Sequence, residues 1–236
     1  MHKLLKLARL VRRPLYLKAL IKGAAAAIEH EHVLEGLECN LIVDVGANKG
    51  QFAIAARKCL PEANIISFEP LQAPADTFEK VLGHDELVTL HRTAIGLLEE
   101  EATMHVSKRE DSSSLLPISD AQISHFPGTE EKETLTVRVS PLHNVLSLKD
   151  FRYPALLKVD VQGFEMSVLK GAEKLLNAFQ YVYVECSFVE LYIGQALAHE
   201  IIDYLGSHRF IIQGVYNTQF DEHGKAIQAD FLFGRT

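Results

Sequence analysis

A chain of 236 residues, 47% hydrophobic and 23% charged, is long enough to bury one sizeable core and has the balance of an ordinary globular protein. Its net charge of -7 is unevenly spread: seven of the 24 Lys and Arg residues fall in positions 1–28, which hold no acid, leaving 17 basic against 31 acidic residues in the rest. So acidic a body excludes nucleic acid as the main partner, and no apolar run suits a signal peptide or a bilayer span, so a cytoplasmic protein is expected.

Residues 1–40 read as a basic helical segment, with Lys3, Lys6, Arg9, Arg12, Arg13, Lys18 and Lys22 set among Leu and Val at roughly helical spacing and a kink expected at Pro14. Through residues 1–22 such a segment suits peripheral contact with an anionic membrane. More commonly it is a flanking helix that covers one edge of a domain while its basic groups face water.

From residue 41 to 236 strands and helices alternate as one domain. Leu41–Val45 is a short buried strand ending at a glycine, followed by a helix with Phe52, Ala55, Ala56, Cys59 and Leu60 on one face and a stop before Pro61. A strand at Ala63–Phe68, a helix marked by Leu71, Ala75, Phe78 and Leu82 and stopped at Gly83, and a strand at Leu87–Thr93 come next. Residues 97–140 break the rhythm with a hairpin near Thr103–Ser107, the serines 112–114, a turn at Pro127-Gly128 and a strand at Leu135–Val139. This stretch reads as an insertion over the ligand edge of the sheet. Alternation resumes with a strand at Ala155–Val159, a helix burying Val168 to Leu176, a strand at Tyr181–Glu185 and a helix at His199–Leu205. Phe210–Tyr216 and Ala229–Phe233 complete the pattern as an antiparallel edge. The fold class is α/β: a mostly parallel sheet with helices on both faces. Cys39, Cys59 and Cys186 are too scattered for a disulfide framework or a zinc knuckle and read as buried apolar residues.

Open parallel sheets bind ligands at the carboxyl ends of their strands. The first strand here ends in Asp44-Val-Gly-Ala-Asn-Lys-Gly50, and Glu69, 23 residues beyond Gly46, ends the second at the usual distance for an acid that accepts ribose hydroxyls. The glycine spacing is GxxxG rather than the GxGxxG of dinucleotide sites. A carboxylate in the loop would also repel a pyrophosphate. Asp44 suits instead the ammonium and the cationic sulfonium of S-adenosylmethionine (SAM).

The stretches DVGANKGQF (Asp44–Phe52), FEP (Glu69), AIG (Ala94–Gly96), DSSSLL (Asp111–Leu116), LLKVDVQGFEMSVLKG (Leu156–Gly171) and YVECSFVELY (Tyr183–Tyr192) resemble the FkbM-type methyltransferase family. The resemblance runs from about Glu29 to the C-terminus. It implies a Rossmann-like class I methyltransferase fold, SAM as cofactor, and O-methylation of a hydroxyl on a sugar, glycan or polyketide-like acceptor. Carried over by position, Gly46, Asn48, Gly50 and Phe52 would shape the methionine pocket with Asp44 as its anionic partner, Glu69 would hold the ribose, and Ala94 and Ile95 the adenine edge. Gln162 stands where many members carry Glu, and His143 where an Asp often follows the Leu.

Transfer to a hydroxyl needs the acceptor oxygen in line with the methyl group and a group to orient it or take its proton. Asp160 and Glu185 end consecutive strands and should face one crevice, Asp160 as base or orienting group and Glu185 as the second candidate. With Gln162 they offer oxygen ligands for Mg²⁺, but no close acid pair insists on it and no metal is assigned. Ser112–Ser114 could bind a polyol, Phe188 and Tyr192 could stack on a sugar, and His143 is the histidine to test as a base. His30 and His32, two apart, do not read as a joint metal site. Two alternatives stay open: a SAM- or nucleotide-binding module without catalysis, and an NAD-dependent oxidoreductase.

Overall fold

The computed structural model describes residues 13–236, beginning with helix α1 (Pro14–Ile21) and a short helix α2 (Glu31–Glu35). The part of the basic head at residues 1–12, on which the membrane reading leans, lies outside the described residues. From Arg13 on the head flanks the domain. Tyr16 and Ala19 of α1 and Val33 and Leu34 of α2 are buried in the core, and the charges of Arg13 and Lys58 are met by Glu31 and Glu35.

Strand β1 (Leu41–Val45) is fully buried along its length and leads through the loop into helix α3 (Gln51–Cys59). Strand β2 (Asn64–Phe68), helix α4 (Gln72–Leu82) and strand β3 (Val88–His91) follow. A second, three-stranded sheet is made by β4 (Ala94–Ile95), β5 (Glu100–Ser107) and β6 (Glu131–Ser140), with helix α5 (Asp120–His125) between the last two. Helix α6 (Leu142–Val145), strand β7 (Ala155–Val159), helices α7 (Glu165–Gly171) and α8 (Glu173–Leu176), strand β8 (Tyr181–Ser187), helix α9 (Ala198–Ser207) and strands β9 (Phe210–Phe220) and β10 (Ala226–Arg235) complete the chain.

The main sheet has the order β3-β2-β1-β7-β8-β10-β9, parallel from β3 to β8 and antiparallel over the last two pairings. Helices α1 to α4 cover one face, where Phe52, Ile54 and Phe78 pack on Ile42 and Leu156. Helices α6 to α9 cover the other, with Val168, Leu169, Leu176 and Ile201 against Val43, Leu157 and Val159. This is the expected α/β architecture. Chain order reverses direction at β1, so the crevice above the carboxyl ends of β1 and β7 is the place for a ligand.

Two elements differ from the sequence reading. Ala94 and Ile95 do not end the third strand of the main sheet. The chain leaves it at Arg92, whose guanidinium turns to Asp76 and Glu79 of α4, and β4 then pairs parallel with β6. The single helix expected through Leu176 is broken at Ala172. A Cβ on Gly171 would stand 1.9 Å from the Gly96 carbonyl oxygen, so α7 packs backbone to backbone on the end of β4.

Candidate active site

The loop after β1 is shaped by a close approach within the protein itself. Gly46 has φ +82°, and a Cβ there would meet the Asp160 carbonyl oxygen at 1.8 Å, so glycine is required before any ligand is considered. Asn48 also takes a left-handed conformation, at φ 46°, and its N–H donates to Glu69 Oε2 at 2.9 Å. The other carboxylate oxygen of Glu69 accepts from Leu71 N at 2.8 Å. Burial pushes the Glu69 carboxyl up to about 7, against the pull of these two amides and of Lys158. Phe68, Leu71, Ala94, Ile95 and Met104 make an apolar wall next to it. Together with Gly46, Asn48 and Phe52 they line one cavity of about 580 Å³.

Asp44 and Gly50 do not line that cavity. Gly50, at φ +86°, precedes the first residue of α3 and faces Phe78. Asp44 is 0% exposed and pairs with a residue the sequence reading passed over. The β1–β7 register sets Asp44 beside Lys158, whose Nζ lies 3.0 Å from Oδ1, while Oδ2 has no hydrogen-bond partner. The same ammonium donates to Gly46 O at 3.0 Å, stands 3.6 Å from Asp160 Oδ2 and lies over the Phe52 ring. Burial works to lower the Lys158 pKa, but the Asp44 and Asp160 carboxylates outweigh it and hold it above the ordinary value. Asp44 thus fixes the lysine that supports the loop.

Register also builds the acid side of the cavity. Val159 pairs with Val184, and Glu185 with Asp230, so Asp160, Glu185 and Asp230 stand side by side across β7, β8 and β10. Gln162 Nε2 donates to Asp160 Oδ1 at 2.8 Å and to Glu185 Oε2 at 2.9 Å, and Gln228 Nε2 donates to Glu185 Oε1 at 2.7 Å. Burial, and then the charges of Asp160 and Asp230, raise the Glu185 carboxyl well above its usual range. A glutamine at 162 donates to both acids where a glutamate would add a further negative charge. Its geometry is held from outside: Tyr192 Oη lies 2.9 Å from Gln162 Oε1 and 3.0 Å from Ser112 O, and Ser114 Oγ donates to Gln162 O at 2.6 Å. Replacing Tyr192 with Phe should cost about 1–2 kcal/mol, the loss of a buried hydrogen bond that leaves acceptors unpaired, read by urea unfolding. An unchanged midpoint would show that the hydroxyl does not hold Gln162.

Ser112, Ser113 and Ser114 line the cavity, although Ser114 is committed to Gln162 and to Leu116 N. Tyr192 is a buried hydrogen-bonding group rather than a stacking surface, and Phe188 packs on Phe231 away from the cavity. His143 is also remote from it, against Gly171 O and Lys174 Nζ. Among the described residues no group of three His, Cys, Asp or Glu is arranged to hold a metal ion. Among the cavity residues that sequence reasoning missed are Lys158, Asp230, Gln228, Asn217 and His30. Lys158 did carry a signal, since it interrupts an otherwise apolar buried strand, and so did Asp230, next to the apolar run Phe231–Phe233.

A doubly covered sheet of this order, with an acid-lined crevice at its switch point, is the fold of the class I methyltransferases. The chain belongs to the FkbM methyltransferase family, whose domain matches residues 44–212, a span that holds Gly46, Glu69, Asp160 and Glu185. It is 26% identical to the 2-O-methyltransferase NoeI of Sinorhizobium fredii over 73% of this chain and 74% of that protein. It is 28% identical to the hexuronic acid methyltransferase AglP of Haloferax volcanii over 64% of this chain and 57% of that protein. A solved structure from Thermobifida fusca YX shares the fold with a TM-score of 0.51, at 10% identity, over 94% of this chain and 82% of that chain.

Proposed function

We propose that this methyltransferase uses SAM to methylate a hydroxyl of a sugar-containing acceptor. One observation carries the reading: the fixed carboxylate of Glu69 beside an apolar wall, and the acids Asp160 and Glu185, open into the same cavity. The two relatives named for methylation at a 2-oxygen and on a hexuronic acid support a carbohydrate acceptor.

The residues present fit SAM. Glu69 keeps free lone pairs beside its two amide bonds for ribose hydroxyls, Ala94, Ile95, Phe68 and Met104 suit an adenine ring, and the carboxylate side suits a cationic centre. The same acids disfavour a pyrophosphate and so an NAD-dependent oxidoreductase. SAM, when bound, supplies an electrophilic methyl group. The work of the chain is to exclude water, align the acceptor oxygen and manage its proton. Asp160, with its side chain 38% exposed, is the acid open to an acceptor hydroxyl and orients it. Glu185, with both oxygens held by glutamine amides, keeps the floor of the site in shape.

Asp160→Asn is therefore expected to lower kcat about 10- to 100-fold while the Kd for SAM changes less than about threefold. The assay is transfer from labelled-methyl SAM to methyl glycosides of hexoses and hexuronic acids, with calorimetry for SAM and NAD. Tight NAD binding without SAM binding would overturn the reading. SAM binding with no transfer to any hydroxyl would leave a binding module instead.

A further inference from the structure

Among the cavity residues outside the family-matched span of 44–212 are His30, from the turn before α2, and Asp230, on β10. Their side chains are only 15% and 14% exposed, and they are joined through Tyr183. Tyr183 Oη lies 3.0 Å from His30 Nδ1 and 3.2 Å from Asp230 Oδ2, while His30 Nδ1 and Asp230 Oδ2 stand 3.6 Å apart. Asn217 Nδ2, whose amide also lies 3.4 Å from His30 Nδ1, donates to the same Asp230 oxygen at 2.8 Å.

Asn217 Nδ2 also lies 3.5 Å from Tyr183 Oη, and the charge of the Asp230 carboxylate favours one direction for the chain. The phenol has one proton. When that proton goes to the Asp230 carboxylate, the phenol oxygen is left to accept, and Nδ1–H of His30 is the donor facing it. The neutral imidazole then carries its lone pair on Nε2. That atom has no hydrogen-bond partner among the described residues, on a ring that lines the cavity. The ring is fixed edge-on against Phe52 at 5.4 Å and Tyr183 at 5.6 Å between centroids. Its turn is pinned to α3 by the Ala27 N–H, which donates to Gln51 O at 3.0 Å. By contrast, Asp160 Oδ1 already accepts from Gln162 and Oδ2 faces Lys158. Sheet order puts Glu69 on the β2 side of the crevice and the His30 group over β8 and β10, across the Asp160 position.

We infer that His30 is the general base of the reaction, its Nε2 taking the acceptor hydroxyl proton while Tyr183 and Asp230 hold it in the required tautomer. The inference rests on the methyl-transfer reading above. As the acceptor oxygen forms its bond to the methyl carbon, the carbon–sulfur bond of the donor breaks with its electron pair left on sulfur. The hydroxyl proton passes to Nε2, so one positive charge is lost at sulfur and one is gained on the imidazole. Asp230, acting through Tyr183, stabilises that imidazolium. Tyr183 and Asp230 are positioning residues.

The tautomer is tested without any acceptor. In full-length protein with ¹⁵N-labelled histidine, long-range proton–nitrogen correlation, assigned against His30→Gln, should show neutral His30 protonated at Nδ1 and bare at Nε2. A ring protonated at Nε2 would overturn the inference. In the transfer assay with labelled SAM and methyl glycosides, His30→Ala should lower kcat about 10²- to 10³-fold, keep the SAM Kd within about threefold, and regain activity with added imidazole. A kcat within threefold of the parent, or a loss that imidazole does not restore, would sink it. Tyr183→Phe and Asp230→Asn should each lower kcat about tenfold with His30 in place, and they decide the matter if His30→Ala does not fold. A parent protein that binds SAM and methylates no glycoside ends the functional reading. An active parent whose His30→Ala variant is equally active ends only this inference.

Discussion

Replacing Lys158 with methionine should lower the unfolding free energy by about 3–5 kcal/mol, because it leaves a buried carboxylate without its partner. Asp44 is 0% exposed, and beyond the ion pair with Lys158 neither of its oxygens has a hydrogen-bond partner, so the residue has no other group to turn to. Methionine nearly preserves the volume of the lysine stem, which keeps packing loss out of the measurement. Three further contacts go with the ammonium: Gly46 O, Asp160 Oδ2 and the Phe52 ring. The loop should therefore loosen as well, and SAM should bind more weakly even under conditions where the variant is folded. Asp44→Asn alone should also destabilise, since it takes away the nearest charge of a buried ammonium and leaves it Gly46 O and the more distant Asp160. The double variant should recover a large share, with a coupling energy of about 2–3 kcal/mol in the cycle. Denaturant unfolding of the four proteins decides this, and purely additive losses would show that the pair is not a unit.

That pair also marks the boundary of what could be read from the chain. Elements whose side chains repeat with a single period were legible: β1 with its unbroken apolar run, and α4 with Ala75, Phe78 and Leu82 on one face. The two-sided covering of the sheet followed from them. The role of Asp44 was not legible, because it depends on which residue the neighbouring strand sets beside it, and Lys158 comes from a strand distant in sequence. The close approach of Gly171 to the backbone of Gly96, where α7 gives way to α8, was hidden for the same reason. Asp160 and Glu185 could be placed in one crevice because each sits at the end of a parallel strand. Asp230 and His30 could not, since they reach it only through the antiparallel pairing of β10 with β8 and through a turn of the flanking segment. The polar ends of β5, β6 and β9 fell outside the expected strands because exposed strand positions carry no apolar signal.

Glu69→Ala should raise the SAM Kd about 10²- to 10³-fold, the loss of charge-assisted hydrogen bonds to ribose hydroxyls at about 1.5–3 kcal/mol each with some recovered from water. Asn48 N and Leu71 N would lose their acceptor too, so Glu69→Gln, which keeps one carbonyl oxygen, separates loop damage from lost charge. Burial pushes the Glu69 carboxyl up to about 7, which makes the same site sensitive to pH. Hydroxyl donors favour the ionised form. SAM should therefore bind more weakly as pH falls below 7, by at most about tenfold per unit, and take-up near pH 6 should release up to one proton. The unliganded protein shifts the other way. A carboxyl raised in the folded state contributes stability that is complete below the unfolded carboxylate range and is lost as pH rises through about 7. Glu165, also pushed up to about 7 by burial, adds to that trend. Between pH 5.5 and 7.5 the thermal shift caused by SAM should thus grow while the unliganded melting temperature declines. Calorimetry in buffers of different ionisation enthalpy reads the proton, and it should vanish in Glu69→Gln. A Kd that is flat across this range in the parent protein would mean that the ligand leaves the Glu69 proton in place, and that another group holds the ribose.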